Sequence, residues 1–133
     1  MDLHTPTRRL SVLVVDDNPD AAESLALLLR AAGHETRVAW NGLDALEAAR
    51  ESRPDVVLLD LGMPCMNGYE TAHRFREDPV TRSVVLVAVT GWGSEEDRRR
   101  TRAAGFARHL VKPVDPDEVL ALLEEQAGDP AAA

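Results

Sequence analysis

Five short runs of aliphatic and β-branched residues, each followed by a longer stretch with helical spacing, restrict what this chain can fold into more than any other feature. The runs fall at Leu10–Val15, Glu35–Ala39, Val56–Leu59, Val84–Val89 and Ala107–Val111. Val12–Val15 and Val56–Leu59 are apolar at every position, the pattern of central parallel strands covered on both faces. The intervening stretches carry apolar residues at helical spacing; in the first, Ala21, Leu25, Leu28 and Leu29 share a face. Helix starts are marked by Asn18 before Pro19, Asn41 with Asp44, Asn67 with Glu70, Ser94 with Asp97, and Asp115 with Pro116 and Glu118. Gly33 and Gly105 stand where the first and fourth helices should stop. This alternation predicts an α/β fold, a parallel sheet with helices on both faces. The 133 residues suit one domain, expected over 10–126, with flexible ends at 1–9 and 127–133.

Composition removes several function classes. A net charge of −8 argues against nucleic acid as a direct partner, because phosphate backbones demand a basic footprint. A single cysteine excludes an intramolecular disulfide framework. The apolar runs are strand-sized, far short of the ~20 residues of a membrane span. The opening MDLHTPTRRL has no apolar core of a secretory signal, so a soluble cytoplasmic protein is expected, with no membrane insertion.

In such a sheet, ligands bind beyond the carboxyl ends of the strands. Those ends carry Asp16 and Asp17 after the first strand, Asp60 after the third, Thr90 after the fourth, and Lys112 with Pro113 after the fifth. By themselves, Asp16 and Asp17 read as acids that complement a helix dipole. Together with Asp60 they bring three carboxylates to one crevice, where each pair at ~5 Å repels by about 3 kcal/mol at an effective dielectric near 20. A hard divalent cation resolves that repulsion, and an all-oxygen donor set with room for water suits Mg2+. Phosphoryl transfer to a carboxylate needs an in-line path, neutralised equatorial oxygens and fixed donors. Thr90 offers a hydroxyl, Lys112 an ammonium, and Asp60 a nucleophile that would form an acyl phosphate.

The segments VLVVDDNPD, DVVLLDLGMPCMNGYE, LVAVTGWG and AAGFARHLVKPVD resemble the receiver domain of two-component response regulators, over about residues 9–126. The resemblance implies a flavodoxin-like (βα)5 fold with strand order 2-1-3-4-5. It implies that Asp60 takes a phosphoryl group from a histidine of a sensor histidine kinase or a histidine phosphotransfer protein. Asp17, Asp60 and the main-chain carbonyl of Gly62 would ligate Mg2+, with Asp16 acting mostly through water. Lys112 would bind a phosphoryl oxygen, Thr90 would swing inward to bond it beside the amide of Gly91, and the Lys112–Pro113 peptide would be cis. His109 falls at the family's aromatic switch position, three residues before Lys112. It would turn inward with Thr90 and remodel the face of the fourth helix, fifth strand and fifth helix. Such a module signals; its chemistry is limited to its own phosphorylation and dephosphorylation.

Other residues carry less. Gly62, two after Asp60, and Trp92, two after Thr90, flank the family's route of water to the phosphoryl group, and a bulky Trp92 is expected to slow its loss. His4, His34 and His73 are scattered and suggest no metal site. Cys65 follows Asp60 in the loop without a neighbour that clearly lowers its thiol pKa. EEDRRRTR (95–102) reads as a solvated helix face first and a partner surface second. Three rivals remain: a small Mg2+-dependent phosphatase with an aspartate nucleophile, a flavin-binding electron carrier, and a receiver kept only as a scaffold. Adjacent acids at 16 and 17, where a phosphatase usually spaces them two apart, weigh against the first; their charge beside a flavin phosphate weighs against the second. A stand-alone regulator, a homodimer and a receiver of a hybrid kinase all stay open.

Overall fold

The computed structural model describes residues 9–64 and 66–128, so the expected flexible ends (apart from 9, 127 and 128) and Cys65 lie outside the described residues. The elements alternate without exception: β1 (Ser11–Val15), α1 (Pro19–Ala31), β2 (Glu35–Ala39), α2 (Gly42–Glu51), β3 (Val56–Asp60), α3 (Gly68–Glu77), β4 (Val85–Thr90), α4 (Glu95–Ala103), β5 (Arg108–Val111) and α5 (Pro116–Gly128). All strand pairs are parallel, in the order β2-β1-β3-β4-β5. This is the flavodoxin-like arrangement.

Alternate residues of the central strands feed two cores, as the two-residue period of a strand requires. Leu13, Val15, Val57, Leu59, Leu86 and Ala88 pack with Ala45, Ala49, Ala72 and Phe75 of α2 and α3. Val12, Val14, Val56, Leu58, Val87 and Val89 pack with Ala22 and Leu29 of α1 and with Val119, Leu122 and Leu123 of α5. Every residue of β3 is buried. The full burial of each Leu or Val side chain is worth about 1.5–3 kcal/mol, so β3 anchors the sheet from both sides.

Helix ends follow the sequence signals. Asn18 accepts from the amides of Asp20 and Ala21, Asn41 from Asp44, and Asn67 from Glu70, while Ser94 and Asp97 form a reciprocal capping box. Gly33 and Gly105 take φ of +99° and +96°, conformations that a side chain disfavours. Each closes a Schellman turn: Gly33 N–H donates to Arg30 O and His34 N–H to Leu29 O, with Gly105 to Arg102 and Phe106 to Thr101 as the second pair.

Three details differ from the sequence reading. Ala21 is exposed; the 100° helical step aligns Ala22, Ala26 and Leu29 toward the sheet, with Leu25 and Leu28 half-buried beside them. The strands β3 and β4 extend one residue further, to Asp60 and Thr90, while β1, β4 and β5 begin one residue later than read, at Ser11, Val85 and Arg108. Leu10, just before β1, donates its amide to Nδ1 of His34 and accepts the Glu35 amide at its carbonyl. Helix α5 continues past residue 126 to Gly128. Among the described residues, no helix is long and apolar enough to cross a membrane.

Candidate functional site

Parallel pairing brings the carboxyl ends of β1, β3, β4 and β5 to one edge of the sheet. Asp60 is the last residue of β3 and pairs in register with Val89; Thr90 ends β4 and pairs with Val111. Both side chains are therefore positioned by the ladder itself. The loop after β3 is held close, because a Cβ on Gly68 would stand 2.7 Å from the carbonyl oxygen of Asp60 and from the Cα of Leu61. Only glycine allows α3 to begin that near the backbone at the end of β3.

Asp16, Asp17 and Asp60 each offer a carboxylate oxygen, and these oxygens lie within 4.8 Å of one another. Nζ of Lys112 stands 3.3 Å from Oδ2 of Asp16 and 3.4 Å from Oδ2 of Asp60. Its own backbone is fixed, since Lys112 N–H donates to the Thr90 carbonyl at 2.8 Å, and the Lys112–Pro113 peptide is cis. The second oxygen of Asp16 accepts the Asn18 amide at 2.9 Å, and Oδ1 of Asp60 accepts the Gly62 amide at 3.0 Å. Asp17 is exposed and, among the described residues, makes no hydrogen bond or ion pair. The three acids thus fall into two kinds: Asp16 and Asp60 are buried, each bonded to one backbone amide and to Lys112, and Asp17 keeps its oxygens open.

Burial raises the Asp60 carboxyl above its ordinary range; the Gly62 amide and the Lys112 ammonium draw it down, and Asp16 pushes it up again. For Lys112, burial lowers the pKa, but Asp60 and Asp16 outweigh it and hold the ammonium above the usual lysine value. One ammonium therefore serves two buried carboxylates, with a third beside them, and the cluster is left negative. An oxygen-seeking dication fits that donor set.

Beside the carboxylates, a cavity of about 300 Å³ opens between the loops after β3 and β4, lined among others by Gly62, Tyr69, Thr90, Trp92 and His109. Oγ1 of Thr90 accepts the Trp92 amide at 3.2 Å. Trp92 is 66% exposed at the rim of this cavity. Its carbonyl accepts from Nε2 of His109 at 2.8 Å, and Nδ1 of the same ring meets the Thr101 hydroxyl at 3.1 Å. Gly91 lies open, with nothing within 4 Å of the position a Cβ would take.

A family profile described as response regulator receiver domain matches residues 12–124. The chain belongs to the response regulator receiver domain family. The polar-differentiation response regulator DivK of Brucella anthropi is 33% identical over 119 residues, 90% of this chain and 97% of that protein. The chemotaxis protein CheY4 of Vibrio cholerae superposes with a TM-score of 0.83 at 30% identity, over 89% of this chain and 98% of that one. The receiver domain of the sensor histidine kinase PA1611 of Pseudomonas aeruginosa gives a TM-score of 0.81 at 27% identity, over 92% and 100% of the two chains. That receiver domain holds a magnesium ion in its active-site cleft.

In this receiver domain, the residues singled out from sequence gather at one edge: Asp16, Asp17, Asp60 and Lys112 in direct contact range, with Gly62, Thr90, Trp92 and His109 around the adjoining cavity. Two participants carried no usable sequence signal. Thr101, buried on α4, tethers the His109 ring, and Gly68 sets the distance of α3 from Asp60. A glycine directly after the Asn67 cap was the one visible hint, and it reads equally well as a plain helix start.

Proposed function

We propose that this receiver domain is the phosphoacceptor of a two-component phosphorelay, with Asp60 taking a phosphoryl group from a phosphohistidine of a sensor kinase or histidine phosphotransfer protein. The observation that carries this reading is the convergence of three carboxylate oxygens within 4.8 Å on an ammonium 3.4 Å from Asp60. Asp17, Asp60 and the Gly62 carbonyl would hold Mg2+, and Asp16 would act mostly through water. The bound ion supplies charge neutralisation for the oxygens of the transferring group.

The chain's own residues do the remainder. An oxygen of Asp60 attacks phosphorus in line; the O–P bond forms as the P–N bond to the donor imidazole breaks, and the imidazole leaves with the electron pair. Lys112 transfers its contact from the free carboxylates to a phosphoryl oxygen. Thr90 accepts from the Trp92 amide, which leaves its hydroxyl proton for a second phosphoryl oxygen, beside the open amide of Gly91. Movement of Thr90 strains the tie between Trp92, His109 and Thr101, and the face built by α4, β5 and α5 changes with it.

Phosphotransfer from a panel of phosphorylated histidine kinases tests the assignment, with Asp60→Asn as control. Labelled phosphate on the wild type and none on the variant is expected; label that survives in Asp60→Asn would overturn it. The large indole beside Gly62 and Thr90 also slows attack by water. Trp92→Ala should lose its phosphoryl group several-fold faster, and an unchanged rate would remove Trp92 from this role.

A further inference from the structure

Across the cavity beside Asp60, Arg100 of α4 lies over Tyr69 of α3, its guanidinium carbon 4.4 Å from the ring centroid. We propose that these two are positioning residues for phosphorylation: their contact clasps α4 to α3 and holds the loop that carries Thr90 in its resting position until a phosphoryl group is present. The proposal rests on reading Asp60 as the phosphoacceptor and names what restrains its switch. Both side chains line the cavity, Tyr69 with Gly62 on the β3 side, Arg100 with Thr90 and His109 on the β4 side. Tyr69 is seated firmly. It is half-buried against the core, with its ring edge-on to Phe106 at 6.1 Å and 89°, and Phe106 is itself buried. Arg100 is exposed, like most of α4, whose one buried residue is Thr101. The helix dipole accounts for a basic residue in this last turn, but an arginine reaching into water would serve it equally. A guanidinium laid over an aromatic ring gains in addition from the ring quadrupole. Among the described residues Arg100 forms no ion pair, and Asp97, one turn earlier, is taken up by the capping box with Ser94.

The place of this contact gives it leverage. Beyond its last turn α4 runs into the bend at Gly105, whose carbonyl accepts from Arg76 of α3 at 3.0 Å. Arg100 stands one residue before Thr101, whose hydroxyl meets Nδ1 of His109, and Nε2 of that ring bonds the Trp92 carbonyl. Thr90 in turn accepts the Trp92 amide. A shift of Thr90 toward Asp60 therefore pulls on α4 through His109 and Thr101, and α4 follows once Arg100 leaves the Tyr69 ring. Arg76 acts as the pivot and the Arg100–Tyr69 contact as the clasp. Such a contact biases the switch only by the difference in its strength between the two positions of α4. For a partly exposed cation–π pair that difference corresponds to about two- to fivefold in an equilibrium constant.

Titration of the full chain with beryllofluoride, a phosphoryl mimic, at saturating Mg2+ and followed by tryptophan fluorescence, reads the restraint. Tyr69→Leu keeps an apolar side chain against Phe106, and Arg100→Gln keeps a good helix former; each removes the contact. Each should bind beryllofluoride about two- to fivefold more tightly than the wild type. The double variant should bind no more tightly than the tighter single, because both changes act through one contact. Tyr69→Phe keeps the ring and loses only a hydroxyl that makes no hydrogen bond among the described residues, so it should match the wild type. A merely structural role would leave the affinity alone or weaken it. Unchanged or weaker binding in either single variant, or effects that add in the double, would overturn the proposal. A wild type that gives no beryllofluoride response would instead remove the phosphoacceptor reading. Amide exchange along α4 then decides the clasp: it should quicken in both single variants, quicken no further in the double, and stay at the wild-type rate in Tyr69→Phe. Equal exchange in the wild type and the single variants would overturn the clasp itself.

Discussion

Lys112 neutralises Asp16 and Asp60 from within 3.4 Å while remaining partly exposed, and so competes with any cation for the same carboxylates. At such distances an ion pair amounts to a few kcal/mol even at an effective dielectric near 20, and solvent reduces it further. Lys112→Ala should therefore bind Mg2+ more tightly, by about tenfold, and yet fail to convey phosphorylation to Thr90 and the loop beyond. A Mg2+ titration followed by Trp92 fluorescence checks this; weaker Mg2+ binding in the variant would contradict the competition. The same residue shows what a sequence can and cannot tell. Its place at the end of β5 was legible from VKP, but that its ammonium bonds Asp16 as closely as Asp60 follows from pairing across the sheet.

Between β4 and α4, a short loop is fastened at both ends by side chains from other elements. His109 of β5 holds the Trp92 carbonyl and meets the Thr101 hydroxyl, while a Cβ on Gly93 would stand 2.7 Å from Val111. His109→Ala should free the loop, so that the amides of residues 91–93 exchange several-fold faster with solvent, at a stability loss of about 1 kcal/mol. Unchanged exchange there would show that the ring holds nothing. Helix boundaries were readable because caps and stop glycines are local chemistry: Asn18, Asn41, Asn67, Ser94, Gly33 and Gly105 act on amides a few residues away. The loop tie was not, because Thr101 and His109 meet only once α4 folds back on β5. Arg76 is a further case: its guanidinium donates to the carbonyls of Arg82, Val84 and Gly105, a link across three segments that no local pattern announces.

At the scale of the whole molecule, the sheet buries a histidine at the edge away from the acidic cluster. His34 is 3% exposed and accepts the Leu10 amide at Nδ1, so it is neutral in the fold. Burial lowers its pKa, with Glu124 opposing. A folded value below the unfolded 6.5 means that the unfolded chain takes up the proton first on acidification. Its contribution is complete above about pH 6.5 and is lost progressively as pH falls from there toward the depressed folded value. Urea midpoints should drop between pH 7.5 and pH 5, and drop less in His34→Gln; an equal drop in both would assign the effect elsewhere. The α/β architecture was legible throughout because β1 and β3 are apolar at nearly every position, which only a sheet covered on both faces tolerates. Ala21 was misplaced because alanine in a first turn fits either side of a helix, and the choice was made by Ala22 and Leu29 packing on the sheet.

The central claim is that Asp60 is an acceptor whose reactivity depends on a cation held by the carboxylates around it. Incubation of the chain with a small acyl phosphate, with and without Mg2+, followed by intact mass and peptide mapping, tests it directly. One added phosphoryl group on Asp60, dependent on Mg2+, removed by EDTA pretreatment and absent from Asp60→Asn, is the predicted result. Modification at any other residue, or at Asp60 with equal yield in EDTA, would contradict it.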